Sequence, residues 1–216
     1  MTISHIPSNL FLKVFVRLIL TEKLTGPSVW KGSNLTGWSS WIHELTEGEI
    51  ASLDNALCSP RVLGKSFPYF VKEDFQIPAW FERLRFLSTE LEDGRGFFVT
   101  RGFPVECYYE ADINNLHYGI CLNLGTPVRK NPRGGLLGTV MNIGYPNDRE
   151  TRVYETNTHL PYHTDPSDVV GLLCLRKAKS GGISSLVSVA SVYNEILENH
   201  PAYLGENLPS LSPLFN

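Results

Sequence analysis

A histidine and an aspartate stand two residues apart in this chain, at His163 and Asp165. Side chains alternate with a period of two along an extended strand, so on such a strand both would point to the same face. An imidazole nitrogen and a carboxylate oxygen together suit Fe(II), and a later histidine would complete a set of two histidines and one carboxylate. Only one histidine, His200, follows Asp165. The spacing therefore predicts a metal site whose third ligand the sequence does not identify.

Other interpretations of these residues stay open. A histidine beside a carboxylate is often no more than a hydrogen-bonded pair at the surface. His159 offers a local third ligand, but Pro161 disfavours the helix that would bring its ring and that of His163 to one face. Three ligands along one strand would also leave an ion poorly enclosed. His200 precedes a proline and is expected at a helix C-terminus, where such a side chain is favourable without any metal.

Helices are predicted to precede and to follow the motif. Thr46 followed by Glu49 is a capping box, which is typical of a helix start, and Pro78 suits a first helical turn. The predicted helices cover residues 46–58, ending at Ser59-Pro60, then residues 78–94, then residues 110–124, ending at Gly125, and a final stretch that opens at Ser188.

Short β-rich segments are predicted around the motif. A buried strand is expected between Gly96 and Gly102, because the residues between these glycines are mostly apolar or β-branched. Further strands are predicted over residues 139–143, 153–158, 169–175 and 183–189. The change from helices to short strands predicts an α+β or mainly β fold, a sandwich or barrel with helices packed outside it.

The composition excludes some classes of protein. The chain has 216 residues, of which 42% are hydrophobic and 19% charged, so it can bury a core. Its net charge of −3 and its scattered basic residues give no electrostatic footprint for nucleic acid. The four cysteines form no Cys-x-x-Cys pair, which favours reduced thiols and a cytoplasmic location.

The most apolar stretch covers residues 10–20 and is interrupted by Lys13 and Arg17. A membrane-spanning helix needs about 20 apolar residues, so no membrane span is predicted. We expect a short amphipathic or docking element there, and its role is open.

The neighbours of His163 and Asp165 carry a family resemblance. Residues 157–165 read NTHLPYHTD, an apolar segment follows, and Gly181-Gly182 then precedes a helix with Tyr193-Asn194-Glu195. This order resembles the TauD/TfdA family of taurine dioxygenase-like Fe(II)/2-oxoglutarate-dependent oxygenases, and its fungal branch most of all. Upstream landmarks at residues 26–30, 96–104 and 124–127 resemble the same family. The resemblance covers residues 26–204.

The resemblance implies a fold, a site and a chemistry. The fold would be a double-stranded β-helix, or jelly roll, with flanking helices. His163 and Asp165 would be iron ligands, and the Ser184 hydroxyl would contact 2-oxoglutarate. Fe(II), 2-oxoglutarate and O₂ would then support hydroxylation of a C–H bond in a small organic substrate, as in a taurine hydroxylase-like oxidoreductase. A tailoring step in secondary metabolism is the expected setting.

The sequence also departs from the family pattern. The family places a distal histidine and an arginine for 2-oxoglutarate far downstream of the Gly-Gly turn, whereas no Arg or Lys follows Lys179 here. We therefore expect a C-terminally truncated oxygenase domain over residues 26–204, between an N-terminal extension over residues 1–25 and an irregular tail over residues 205–216. The alternative is a non-catalytic homologue that acts as a binding or regulatory protein. A homo-oligomer, or a second chain that donates the missing ligands, is also left open.

Overall fold

The computed structural model describes residues 20–35, 41–130, 134–143 and 151–205. They belong to two compact units, each of which is described by itself. One unit contains the residues up to Thr36 and those from Leu186 onwards, and the other contains Gly37–Ser185. The predictions for residues 10–19 and 206–216 lie outside the described residues.

The described residues form more helix than strand. The helices are α1 (Gly32–Leu35), α2 (Glu47–Val62), α3 (Phe81–Glu92), α4 (Glu110–Leu124), α5 (Val189–Asn199) and α6 (Ala202–Gly205). The strands are β1 (Ile42–Glu44) and β2 (Val99–Arg101). Short 3-10 helices lie at Lys72–Asp74, Pro78–Trp80, Val105–Cys107 and Val153–Glu155.

The predicted capping box opens α2. The Glu49 backbone N–H donates to the Thr46 hydroxyl at 3.2 Å, and the Thr46 N–H donates to the Glu49 carboxylate at 2.9 Å. The predicted end at Ser59 is wrong, because the helix continues to Val62. A proline removes only one helical hydrogen bond near the end of a helix. The last turn is also held by an ion pair between Arg61 and Asp112 of α4.

The two helices predicted next are confirmed. Pro78 opens a 3-10 turn that leads directly into α3, and α4 ends one residue before Gly125. Both helices pack with α2 around one apolar core. The buried members of this core include Leu53, Leu57, Phe70, Phe75, Trp80 and Leu116. Every residue of this core precedes the metal motif.

A small parallel sheet joins two distant parts of the chain. Ile42 of β1 pairs with Val99 of β2, and Glu44 pairs with Arg101. The strand predicted between Gly96 and Gly102 is confirmed as β2. The prediction that this strand is buried is wrong. Val99 and Arg101 are exposed and Thr100 is half-buried.

The strands predicted in the second half of the chain do not form among the described residues. Residues 153–155 form a 3-10 helix, and residue 189 begins α5. Residues 169–175 and 183–187 are not in strands. Within the described residues, β1 and β2 form the only sheet. An apolar segment becomes a strand only when a neighbour accepts and donates its backbone hydrogen bonds. The predicted sandwich or jelly roll is not seen in this part of the chain.

The unit that contains α5 is held by side chains that bond to backbone. Ser188 caps α5 as predicted, since its hydroxyl accepts from the Ser191 N–H at 2.9 Å. Asn194 binds the backbone of Leu24 in both directions, with its amide group donating to the carbonyl and accepting from the N–H at 2.8 Å each. Lys23 and Glu198 form an ion pair at 2.7 Å. In this way α5 fixes the chain around residue 24.

Candidate metal site

His163 lies on an irregular segment of the Gly37–Ser185 unit, with its side chain exposed. Its Nδ1 is 2.9 Å from the carbonyl oxygen of Pro161. A carbonyl oxygen can only accept, so Nδ1 is the donor in this bond and Nε2 is the ring nitrogen left for another partner. A histidine that ligates a metal commonly donates its other ring N–H to such a carbonyl, which fixes the tautomer and the ring orientation.

Asp165 is exposed two residues further on. The described residues give its carboxylate no ion pair and no hydrogen bond, so both oxygens can accept a metal bond. His163 and Asp165 therefore fit two ligand positions of a ferrous ion by the chemistry of their donors. They form a candidate half-site.

The described residues do not bring a third ligand to this half-site. No group of three His, Cys, Asp or Glu side chains is gathered anywhere in residues 20–35, 41–130, 134–143 and 151–205. The local cluster with His159 is therefore not assembled. His200 belongs to the other unit, where its N–H donates to the Ile196 carbonyl at the end of α5 and its ring lies 5.7 Å from that of Tyr203.

Ser184 lies beyond a glycine turn in exposed, irregular chain. Gly181 and Gly182 both have φ of +70°, a region that side chains disfavour. A Cβ at Gly182 would also come within 2.9 Å of the Ala178 Cβ. The Gly-Gly turn predicted from the sequence is thus required by the backbone. The Ser184 hydroxyl has no hydrogen-bond partner among the described residues and is free to bind a ligand.

Comparison with known proteins identifies a family. Residues 63–212 match the family described as "Taurine catabolism dioxygenase TauD, TfdA family", and this range includes His163, Asp165 and Ser184. The chain belongs to the TauD/TfdA family. The resemblance predicted from the motif is confirmed.

Two curated proteins that are similar to this chain are longer than the region that they share with it. The chain is 32% identical over 193 residues to "FR-33289 synthase" of Streptomyces rubellomurinus, covering 87% of this chain and 56% of the relative. It is 29% identical over 197 residues to "Taurine hydroxylase-like protein SAT17" of Stachybotrys chartarum, covering 84% of this chain and 49% of the relative. The chain spans about half the length of these relatives.

The structure also shows a close contact with the segment after the motif that the sequence did not predict. His117 and Cys121 lie four residues apart on α4, where both are partly buried. A Cβ at Gly171 would lie 3.3 Å from both His117 Nε2 and Cys121 Sγ. The only signal in the sequence was their shared face on a helix. Their contact with residue 171 joins segments 50 residues apart and could not be read locally.

Three basic side chains stand close together in the turn before Gly181. Arg176, Lys177 and Lys179 are exposed in the turn before Gly181, where they place positive charge ahead of Ser184 along the chain. None of the helices in the described part of the chain is long and apolar enough to cross a membrane.

Proposed function

We propose that this chain carries the Fe(II)-binding half-site of a 2-oxoglutarate-dependent oxygenase, with His163 Nε2 and an Asp165 oxygen as ligands. The observation that carries the proposal is the hydrogen bond from His163 Nδ1 to the Pro161 carbonyl, because it leaves Nε2 available to a metal. Membership of the TauD/TfdA family supports the same assignment.

Each site residue has a distinct part in this proposal. His163 and Asp165 bind the metal, and the Ser184 hydroxyl donates a hydrogen bond to a carboxylate of 2-oxoglutarate. When bound, Fe(II), 2-oxoglutarate and O₂ supply the oxidation of a substrate C–H bond. The protein orients these groups and excludes water. The name of the Stachybotrys relative, which is called taurine hydroxylase-like, supports hydroxylation. We propose that the substrate is a small organic molecule and that the reaction is a tailoring step in secondary metabolism.

The proposed fold is the jelly roll implied by the family, within an oxygenase domain over residues 26–204. In that fold the apolar residues 169–175 become a strand when a neighbouring strand pairs with them. In the jelly roll, the exposed apolar side chains of this segment would pack against other strands. It also places the metal motif at the start of a strand, where its two side chains share a face.

The half-site predicts weak metal binding by the purified 216-residue chain. We expect Co(II), used as a spectroscopic substitute, to bind with absorption bands typical of nitrogen and oxygen ligands. Asp165→Ala should abolish these bands. Asp168→Ala removes an equally exposed carboxylate three residues away and should leave them unchanged. Equal spectra for the Asp165→Ala variant and the unsubstituted chain would contradict the assignment.

A second function is favoured by one observation, the absence of a gathered three-ligand group in the described residues. A chain with only two ligands suits a non-catalytic homologue that binds the metal or a partner. Release of succinate from 2-oxoglutarate separates the two functions. Metal-dependent succinate release that is lost in Asp165→Ala supports the oxygenase, and metal binding without succinate release supports the binding protein.

A further inference from the structure

The segment that follows the metal motif closely approaches α4 at Gly171. A Cβ at Gly171 would lie 3.3 Å from His117 Nε2 and from Cys121 Sγ, a closer approach than most side chains make. His117 and Cys121 are one helical turn apart, so they face the same side of α4. Glycine at 171 therefore lets the backbone approach these two side chains closely.

His117 Nε2 lies beside the backbone of Gly171, close enough to interact with it. Burial lowers the pKa of the His117 imidazole, the positive charge of Lys130 lowers it further, and the interaction with the Gly171 backbone opposes both. Cys121 is the other titratable group at this contact, and burial raises the pKa of its thiol. Both side chains are therefore neutral near pH 7, which suits a dry contact with the backbone.

Little else fixes the segment that carries the motif. Other hydrogen bonds of the described residues 161–176 join groups two residues apart: His163 with Pro161, Ser167 with Val169, and Cys174 with Arg176. None of these three reaches another element. Gly171 is six residues from Asp165, so a fixed point there restricts where the motif can lie.

We propose that His117 is a positioning residue for the candidate metal site: it holds the backbone at Gly171 on α4 and so sets the place of His163 and Asp165. The proposal rests on the proposed function for its link to metal. It assigns α4, an element without metal ligands, the role of supporting the ligand segment. Cys121 fills the same contact from the next turn of the helix.

The contact itself is tested by crosslinking. In Gly171→Cys, the new Cβ would lie 3.3 Å from Cys121 Sγ, which is within the reach of a disulfide. We expect mild oxidation to join residues 171 and 121 in most molecules, as identified by peptide mass mapping. Leu172→Cys is the control, because Leu172 is 74% exposed. A crosslink no faster than that of Leu172→Cys would overturn the contact.

The positioning role is tested by metal affinity, measured as Co(II) dissociation constants. Residues that orient metal ligands typically change affinity by about tenfold or more when removed. We expect His117→Ala to weaken Co(II) binding about tenfold. His117→Gln keeps a donor near the place of Nε2 and should restore affinity to within about threefold of the unsubstituted chain. Asn114→Ala, at a partly buried position of the same helix, should have no effect.

The two measurements separate the failure of this inference from that of the proposed function. A crosslink combined with equal Co(II) affinity in His117→Ala and the unsubstituted chain would overturn the positioning role and leave the metal site intact. No Co(II) binding by the unsubstituted chain would contradict the proposed function and the positioning role together. The crosslink would still decide whether α4 holds Gly171.

Discussion

The imidazole of His163 is the side chain on which the metal assignment depends. Its Nδ1 donates to the Pro161 carbonyl, which leaves Nε2 as the ring nitrogen that can bind a metal. The residue types of the motif predict the donor atoms, but the separate roles of the two ring nitrogens follow only from this hydrogen bond. Pro161 disfavours a helix at the motif, and its carbonyl also orients the His163 ring.

Ser184 offers a prediction at the same scale. Ser184→Ala should weaken 2-oxoglutarate binding at least about tenfold, because a hydrogen bond to a charged carboxylate contributes about 1.5–3 kcal/mol. Ser184→Thr keeps the hydroxyl and should bind 2-oxoglutarate as the unsubstituted chain does. Titration of 2-oxoglutarate into the metal-loaded protein measures the change. Ser185→Ala is the control, and an equal loss in that variant would show that Ser184 has no specific role.

Among the elements, α2 has the best-defined support. Glu49 caps the helix start and also forms an ion pair with Arg83 of α3, where both side chains are mostly buried. Burial of Glu49 opposes its ionisation, but hydrogen bonds from Arg83 and Thr46 lower its pKa to about 2. The same carboxylate therefore links the start of α2 to α3.

This link predicts a pH-dependent stability. The folded-state pKa of Glu49 lies below its ordinary value of 4.5, so its stabilisation is fully present above pH 4.5 and is lost as the pH falls toward 2. Glu49→Gln should lower the free energy of unfolding near pH 7 by about 3 kcal/mol, because Arg83 is left buried without its partner. Urea unfolding at several pH values measures both effects.

The control for Glu49 is the exposed ion pair of Glu82 and Arg85, whose side chains are 73% and 72% exposed. Glu82→Gln should change the unfolding free energy by less than about 0.5 kcal/mol, since exposed pairs contribute little. A similar loss in both variants would mean that burial of the Glu49 pair is not the cause.

The elements also show why some of the fold was predictable and some was not. The start of α2 at Thr46, the turn at Pro78 and the end of α4 before Gly125 follow from local signals that need no partner. The strand predicted over residues 169–175 depends on a neighbour elsewhere in sequence, as does the contact of Gly171 with His117. The motif can be found in the sequence because its two residues are two positions apart. The support that we propose for it could not be predicted, because α4 is distant in sequence.

At the scale of the molecule, burial differs between the two parts of the Gly37–Ser185 unit. The core draws on residues 45–137, whereas the described residues 151–185 contribute no buried side chain. Several large apolar side chains there are exposed, including Tyr162, Leu172 and Ile183 at 70%, 74% and 89%. Exposed apolar surface of this kind promotes association.

We therefore expect the purified chain to self-associate as its concentration rises. The double substitution Leu172→Lys with Ile183→Lys should shift the population toward monomer, because it places charge on the exposed apolar segments. Tyr109→Lys is the control, since Tyr109 is 85% exposed but lies outside these segments. Sedimentation velocity measures the change. A chain that stays monomeric at all concentrations would contradict the expectation.

The central claim is that His163 and Asp165 bind Fe(II), and anaerobic equilibrium dialysis of Fe(II) against the purified chain tests it most directly. We expect weak 1:1 binding that is lost in His163→Ala and retained in His159→Ala, whose side chain is also exposed four residues earlier. Fe(II) binding that survives His163→Ala unchanged, or no binding by the unsubstituted chain, would show that His163 and Asp165 are not the ligands.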